Sequence, residues 1–479
     1  KTSMTSGEGE TMENIPATTI RSEIEKHLSR LGHNLASFAK LSGINRGSLS
    51  AILHGNPPKP ISLAQLDALT SAFGFSEGWF YPLYIEECFS ENKVSRRRVE
   101  PFLIKCVEID QTQCLDDVLN RILEYPKPLD LIFSVAEKLY ELGRIKESMK
   151  FYAIVTENES DNYSDRLAIS QYRIFKSLER VVDMEEKLRA VITFEPFRNR
   201  LAENMALDGL LKLANVSFTL HKWKDVEKYA DELRALTQGI YREELNKRRN
   251  GKRSDSLGLF RPLVLYVGHS YLNKAVALTK QGNYEEAKKY TAGYADLSGF
   301  ELLEEQDRVV VEKFKLFAEA NSYTLELLSG NMGTLPSYVD FLNANPEEIL
   351  SGLITIMESA NRYGHSVEGI LSRFSREMLR FDRFEDPINM DRRFRLDYQL
   401  ALYMVDREQY EKGIDYALQG IGISITMNNG KGFIQCISLF ELNRVYATAK
   451  QLDEYLNLIK KVRTNDESAF EDERNFGIV

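Results

Sequence analysis

Residues 35–55 read LASFAKLSGINRGSLSAILHG, and the fold of the N-terminal region can be inferred from this stretch. Asn34 is placed to cap a first helix, whose apolar residues recur at steps of three and four. Gly43 lacks the Cβ that hinders positive φ, so the chain can turn tightly there. Asn45 is placed to cap a second helix over 46–53. The stretch therefore predicts two short helices joined by a tight turn.

Two further helices flank this pair. Apolar residues at helical spacing predict a helix over 20–31, which Gly32 ends, and another helix that begins at Ser62. The residues expected to face the interior of the four helices are Ile20, Ile24, Leu28, Leu31, Leu35, Phe38, Ala39, Leu41, Leu49, Ile52, Leu53, Leu63, Leu66, Leu69 and Phe73. Residues 20–75 are therefore expected to form one domain.

Charge is distributed unevenly along the chain. The whole sequence carries a net charge of −9, which argues against coating nucleic acid by bulk charge. Between Lys26 and Leu66, however, there is no Asp or Glu. The Lys and Arg residues in this acid-free window are Lys26, Arg30, Lys40, Arg46 and Lys59. We therefore expect a local cationic face where the helix pair lies.

The run from 35 to 55 resembles the Cro/repressor-type (XRE) helix-turn-helix. Three features carry this resemblance: the glycine in the turn, the small polar residues at the start of the second helix, and Gly55 at its end. The resemblance implies that the start of the second helix enters the major groove, where Arg46 can reach a guanine edge. The residues expected to contact DNA bases or phosphates are Asn34, Ser37, Asn45, Arg46, Gly47, Ser48, Ser50, His54, Asn56 and Lys59. The alternative is an interaction domain that kept the fold and lost DNA affinity, because Arg46 is the one formal cation on that second helix.

Residues 76–100 are expected to connect this domain to the rest of the chain. An aromatic stripe at helical spacing predicts packing, and it comprises Trp79, Phe80, Tyr81, Tyr84 and Phe89. A basic run at 96–98 follows. It either contacts backbone phosphate or forms a solvated helix start.

From Pro101 onward, helical periods continue with few Gly or Pro residues and no alternating strand pattern. The clearest segment is residues 275–290, AVALTKQGNYEEAKKY. In it, Gly282, Tyr284 and Ala287 resemble the turn, aromatic and small positions of a tetratricopeptide repeat. Residues 101–479 are therefore expected to form a right-handed α-solenoid of degenerate tetratricopeptide-like repeats, and the whole chain is expected to be all-α.

A solenoid of this kind presents a concave face that can hold an extended peptide. Asparagine suits such a face, because its amide donates and accepts hydrogen bonds at once. The residues expected to bind a peptide are Asn215, Asn273, Asn321, Asn443, Tyr271, Tyr323 and Arg395. Each has the alternative interpretation of an ordinary surface polar residue.

The sequence carries no pattern typical of an enzyme, a metal site or a membrane protein. HExxH, GxSxG, P-loop and strand-linked GxGxxG motifs are absent. The four cysteines form no CxxC pair, which favours reduced thiols in the cytoplasm, and no run of about 18 uncharged apolar residues occurs. We expect no catalysis, no metal, no cofactor and no membrane partner. The polar residues 1–19 are expected to be a disordered leader.

The combination of an XRE-type helix-turn-helix with degenerate repeats resembles the RRNPP group of peptide-responsive transcriptional regulators. This resemblance implies a homodimer, a double-stranded DNA operator and a short imported signalling oligopeptide of the kind used in quorum sensing. Peptide binding in the groove would control the dimer geometry and so DNA binding. The alternative is a protein-interaction regulator whose repeats sequester a signalling protein, with DNA binding secondary or lost.

Overall fold

The computed structural model describes residues 19–90, 93–178, 181–250, 258–381 and 386–475. Within these ranges the chain is all-α, as predicted, apart from a two-residue strand pair. The expected leader lies outside the described residues except for Thr19. In the part of the chain that is described, every helix is too short or too polar to span a membrane.

The chain forms two compact units, one ending at Ser170 and the other beginning at Gln171. The first unit therefore runs beyond the predicted connector into the region predicted as repeats. Its helices are α1 (Ile20–Arg30), α2 (Leu35–Ser42), α3 (Arg46–His54), α4 (Leu63–Ala72), α5 (Tyr81–Cys88), α6 (Arg96–Glu108), α7 (Thr112–Leu123), α8 (Pro128–Glu141) and α9 (Ile145–Asn158). Between α5 and α6, strand β1 (Phe89–Ser90) pairs antiparallel with β2 (Lys93–Val94). Helix α10 (Asp165–Ser177) spans the boundary between the units.

Local capping fixes where the first helices begin. The Thr19 side chain accepts a hydrogen bond from the backbone of Ser22 at the start of α1. Asn34 and Asn45 cap α2 and α3 in the way that the sequence predicted. Gly43 ends α2 with φ of +69°, in the left-handed region that glycine enters without strain.

The core of the first four helices is built around stacked rings. Phe38 on α2 lies 4.4 Å from Phe73, measured between ring centroids, and both side chains are buried. The prediction that Leu31 and Leu41 face the interior is wrong, because these side chains are 51% and 55% exposed. Leu31 lies beyond the last residue of α1. Leu41 lies about 60° around α2 from Phe38, and α2 packs only a narrow stripe against α3 and α4.

The connector aromatics pack as expected, with one exception. Tyr81 and Tyr84 lie 5.0 and 5.2 Å from the Phe102 ring of α6, between centroids, and both are buried. Trp79 is the exception, since it is exposed and stacks on Phe75. The basic run 96–98 forms the first turn of α6.

The second unit is a sequence of fourteen helices among the residues described. They are α11 (Met184–Phe194), α12 (Glu203–Thr219), α13 (Trp223–Arg249), α14 (Leu263–Lys280), α15 (Tyr284–Ala295), α16 (Arg308–Leu328), α17 (Leu335–Ala344), α18 (Ile349–Tyr363), α19 (Glu368–Arg373), α20 (Ser375–Met378), α21 (Pro387–Val405), α22 (Tyr410–Thr426), α23 (Gly430–Asn443) and α24 (Ala449–Asn475). Short 3₁₀ turns lie at Glu195–Arg200, Glu305–Asp307, Met332–Thr334, Pro346–Glu348 and Arg444–Tyr446.

Helices of the second unit pack on their neighbours along the chain and on the next but one. Thus α12 packs on α13 and on α14, and α14 packs on α15 and on α16. The helices α12, α14, α16, α18 and α21 contact one another in that order, and we call this set of helices the inner layer. Its first and last members, α12 and α21, also touch. The inner layer carries most of the predicted peptide-binding residues.

Candidate functional site

The start of α3 is the exposed end of the predicted recognition helix. Asn45 Oδ1 accepts hydrogen bonds from the backbone N–H of Gly47, at 2.8 Å, and of Ser48, at 3.4 Å. A Cβ on residue 47 would lie 3.1 Å from that same oxygen, so glycine leaves the cap undisturbed. Arg46 is exposed, and no carboxylate of the described chain lies within 4.0 Å of it. A free guanidinium therefore stands at the first turn of α3.

The remaining candidate DNA-binding residues of α3 differ in their solvent exposure and in their contacts with acidic groups. Ser48 and Ser50 are half-buried. His54, at the last position of α3, is exposed, but its Nδ1 lies 3.2 Å from Glu25 Oε1 on α1. His54 therefore faces an acidic partner and is the weakest of the candidates for a phosphate contact.

The other predicted DNA contacts lie at the start of α2 and after α3. Ser37 N–H donates to Asn34 Oδ1 at 2.9 Å, and Asn34 N–H donates to Ser37 Oγ at 3.1 Å. Both side chains are exposed but engaged in this reciprocal cap. Asn56 and Lys59 are exposed in the loop that follows α3. The loop lies about 12 Å along the helix axis from Arg46, at 1.5 Å per residue.

Arg21 and Glu87, which the sequence did not indicate, connect α3 and the loop after it to α1 and α5. Arg21 on α1 donates from Nε to the Ile52 carbonyl of α3, at 2.9 Å, and from Nη2 to the Lys59 carbonyl, at 3.1 Å. Its Nη1 also pairs with Glu87 Oε1 of α5, at 2.5 Å. Glu87 Oε2 accepts from the backbone N–H of Ile61. This clamp fixes the end of α3 and the following loop to α1 and α5.

A cavity of about 980 Å³ lies in the second unit, against the inner layer. Four predicted peptide-binding residues line it, one on each of four inner helices: Asn215, Asn273, Asn321 and Arg395. The other three lie elsewhere. Tyr271 covers Gly293, Tyr323 stacks on Tyr338, and Asn443 donates to the Leu439 carbonyl of its own helix.

Two buried polar atoms in the cavity lack hydrogen-bond partners within the described residues. They are Asn273 Nδ2 and His269 Nδ1. Burial, with Arg261 and Lys313 nearby, lowers the pKa of His269 to about 4, so its ring is neutral at pH 7. Buried polar groups nearly always find a partner, so these atoms suit a polar ligand.

A charged cluster lies at the Lys280 end of α14. Lys280 Nζ contacts both Glu358 carboxylate oxygens at 3.1 Å, and Arg395 Nη2 lies 2.7 Å from Glu358 Oε1. Burial raises the pKa of Glu358, but Lys280 and Arg395 outweigh it and bring that pKa to about 2. Burial lowers the pKa of Lys280 to about 8. At pH 7 the cluster therefore holds two cations on one carboxylate, and it joins α14, α18 and α21.

The predicted site did not include His269, Lys280, Glu358 or Arg392, although all four line the cavity or contact its lining residues. A signal for two of them existed, because His269, Asn273, Val276 and Lys280 follow one another at helical spacing on one face of α14. Nothing local indicated that Glu358 lies between two cations from other helices.

The described residues contain no group of three or more His, Cys, Asp or Glu side chains that could hold a metal ion. All four cysteines are buried and free. No family model matches the chain, and no curated protein is significantly similar to it.

Proposed function

We propose that this chain is a sequence-specific DNA-binding regulator whose second unit binds a short signalling peptide. The observation that carries the DNA half is the free guanidinium of Arg46 at the capped, exposed start of α3, within a window that has no acidic residue. The order of α2, Gly43 and α3 supports this proposal, because in an XRE-type helix-turn-helix the start of the second helix enters the major groove.

In this proposal, Arg46 donates two hydrogen bonds to a guanine edge, and such a pair discriminates against a wrong base by about 1–3 kcal/mol. The backbone N–H groups at the start of α2 bind a phosphate and fix the register of the unit on the duplex. With one cation on α3, a single unit binds weakly. The active form is therefore a homodimer that reads two half-sites about 34 Å apart.

The cavity supports the peptide half of the proposal. Its volume lies at the upper end of the range for small-ligand sites, about 300–1,000 Å³. The amide of Asn273, whose Nδ2 has no partner among the described residues, suits the backbone of an extended peptide, because an amide can donate and accept. In this proposal the second unit is a degenerate tetratricopeptide-like solenoid with the inner layer as its concave face. The peptide shifts the dimer between two geometries by binding one of them more tightly.

Selection from a pool of random-sequence DNA duplexes with the purified full chain tests the DNA half. We expect enrichment of one motif with two related half-sites whose centres are separated by one helical turn. A pool that stays random after selection, at low and moderate salt, would refute DNA reading.

The second candidate function is a protein-interaction regulator. The observation that favours it is the exposure of Leu31, at the end of α1, and Leu41, near the end of α2, since exposed apolar side chains suit a protein partner better than phosphate. A random duplex pool together with a stoichiometric partner lost on a Leu41→Ser substitution would support this candidate.

A further inference from the structure

We propose that the cavity selects its ligand through a carboxylate, which is bound by Arg392 on α21. The inference rests on the proposed peptide-binding function and names the chemistry of the ligand. The carboxylate belongs either to the C-terminus of a peptide or to an Asp or Glu side chain of it.

Arg392 is a guanidinium of the cavity wall that has no close carboxylate among the described residues. Its guanidinium is half-buried and makes one hydrogen bond, from Nη1 to Asn389 Oδ1 at 3.3 Å. No carboxylate of the described residues lies within 4.0 Å of it. In contrast, Lys280 and Arg395 of the same wall share Glu358. A guanidinium has five N–H donors, so most of those on Arg392 are free to meet an anion.

The carboxylate with the largest electrostatic effect on Arg392 is that of Glu348, and it does not form an ion pair with Arg392. Glu348 also lines the cavity and interacts with Arg392 through space, but it lies beyond ion-pair distance. Burial raises the pKa of Glu348 even against the effect of Arg392. A half-buried cation without a close partner costs folding free energy, and a ligand anion would relieve that cost.

The cavity also limits the length of the ligand. On α14 its wall extends from His269 to Lys280, which is eleven residues along the helix. At 1.5 Å per residue this is about 16 Å, or about five residues of extended chain. The unpartnered amide of Asn273 lies between these ends and suits the peptide backbone. A short peptide therefore fits the cavity with its carboxylate at α21 and its backbone along α14.

The charge of the cavity favours a single carboxylate over a phosphate. Glu312, Glu347 and Glu348 line the cavity together with the cations. A dianion would meet stronger repulsion from these side chains than a single negative charge, which can pair with the Arg392 guanidinium.

The test uses a pool of random pentapeptides with free C-termini and the same pool amidated. Each pool is equilibrated with the purified full chain, and the retained peptides are quantified by mass spectrometry. We expect Arg392→Gln to reduce retention roughly tenfold or more, the effect of losing a charged hydrogen bond. Lys315→Gln, an exposed change of the same kind on α16 outside the cavity, should leave retention unchanged. Because Arg392→Gln removes a half-buried charge that has no close carboxylate, its unfolding temperature should not fall below that of the wild type.

Loss of retention on amidation would support the proposal with the terminal carboxylate as its source. Retention of amidated peptides enriched in Asp or Glu would support it with a side-chain source. Retained peptides with no preference for a carboxylate, or equal retention by Arg392→Gln, would overturn it while leaving peptide binding intact. Retention of no pentapeptide by the wild type would overturn both this inference and the peptide half of the proposed function.

Discussion

Replacing Glu358 by glutamine removes the one carboxylate shared by Lys280 and Arg395 beneath the cavity. Burial raises the pKa of Glu358, but the two cations lower it further, from an ordinary value of 4.5 to about 2. At about 1.36 kcal/mol for each tenfold change in proton affinity, this difference corresponds to roughly 3 kcal/mol. We therefore expect Glu358→Gln to lower the free energy of unfolding of the second unit by roughly 3 kcal/mol at pH 7.

The pH dependence follows from the direction of that shift. Because the folded pKa of Glu358 lies below the unfolded one, its contribution is present above pH 4.5 and is lost as the pH falls towards 2. The difference between wild type and Glu358→Gln should therefore narrow over this interval. Burial lowers the pKa of Lys280 to about 8, so the charged lysine is itself costly at pH 7. Adding Lys280→Met to Glu358→Gln should recover part of the lost stability.

The chain offers a convenient probe for this measurement. It has two tryptophans, and Trp223 belongs to the second unit. In a Trp79→Phe background, urea unfolding followed by tryptophan fluorescence reports on the second unit alone. Glu312→Gln, an exposed glutamate of the cavity rim, is the matched control and should change stability by less than about 0.5 kcal/mol. A Glu358→Gln variant as stable as this control, or a difference from wild type that stays constant between pH 7 and pH 3, would contradict the stabilising role of Glu358.

Two further substitutions test the packing and the clamp. A Cβ at Gly268 on α14 would overlap the Phe314 ring, so Gly268→Ala should destabilise the second unit by about 1–3 kcal/mol in urea unfolding. Gly239→Ala on α13, where the added Cβ meets nothing, should instead raise its stability, and equal effects at the two sites would contradict the packing described. Glu87→Gln weakens the ion pair with Arg21 of α1. It should lower the free energy of unfolding of the first unit by about 1–3 kcal/mol, measured by urea unfolding. The neighbouring Glu86→Gln is exposed and should cost less than about 1 kcal/mol, so a loss as large as that of Glu87→Gln would count against the clamp.

Helix starts in the first unit could be predicted because their causes are local. Asn34 and Asn45 cap helices through atoms two or three residues away, and Gly43 carries the positive φ expected of the turn. The predicted helix over 46–53 differs from α3 by one residue. Leu41 shows the limit of this reasoning, because helical spacing does not give the width of the stripe that a neighbouring helix covers.

The cavity could be predicted only in part. The amide chemistry of Asn273 predicts a place on the peptide-binding face, and Asn273 lines the cavity. Tyr323 is also predicted to bind a peptide, but its ring packs against Tyr338 and Phe341. Which face of each helix belongs to the inner layer depends on packing between helices far apart in the chain. No local sequence pattern predicts the ion pair between Glu358 and Lys280, which lie 78 residues apart in the chain.

The proposed reading of DNA bases by Arg46 of α3 is tested by one comparison of dissociation constants. The wild type, Arg46→Ala and Arg30→Ala are titrated against the duplex obtained by selection and against a scrambled duplex. Arg30 is an exposed arginine of the same acid-free window, so its replacement controls for charge alone. We predict that Arg46→Ala weakens binding to the selected duplex about tenfold or more, with a much smaller loss on the scrambled duplex, while Arg30→Ala affects both duplexes equally and slightly. Unchanged binding by Arg46→Ala, or an equal loss on both duplexes, would contradict base reading by α3.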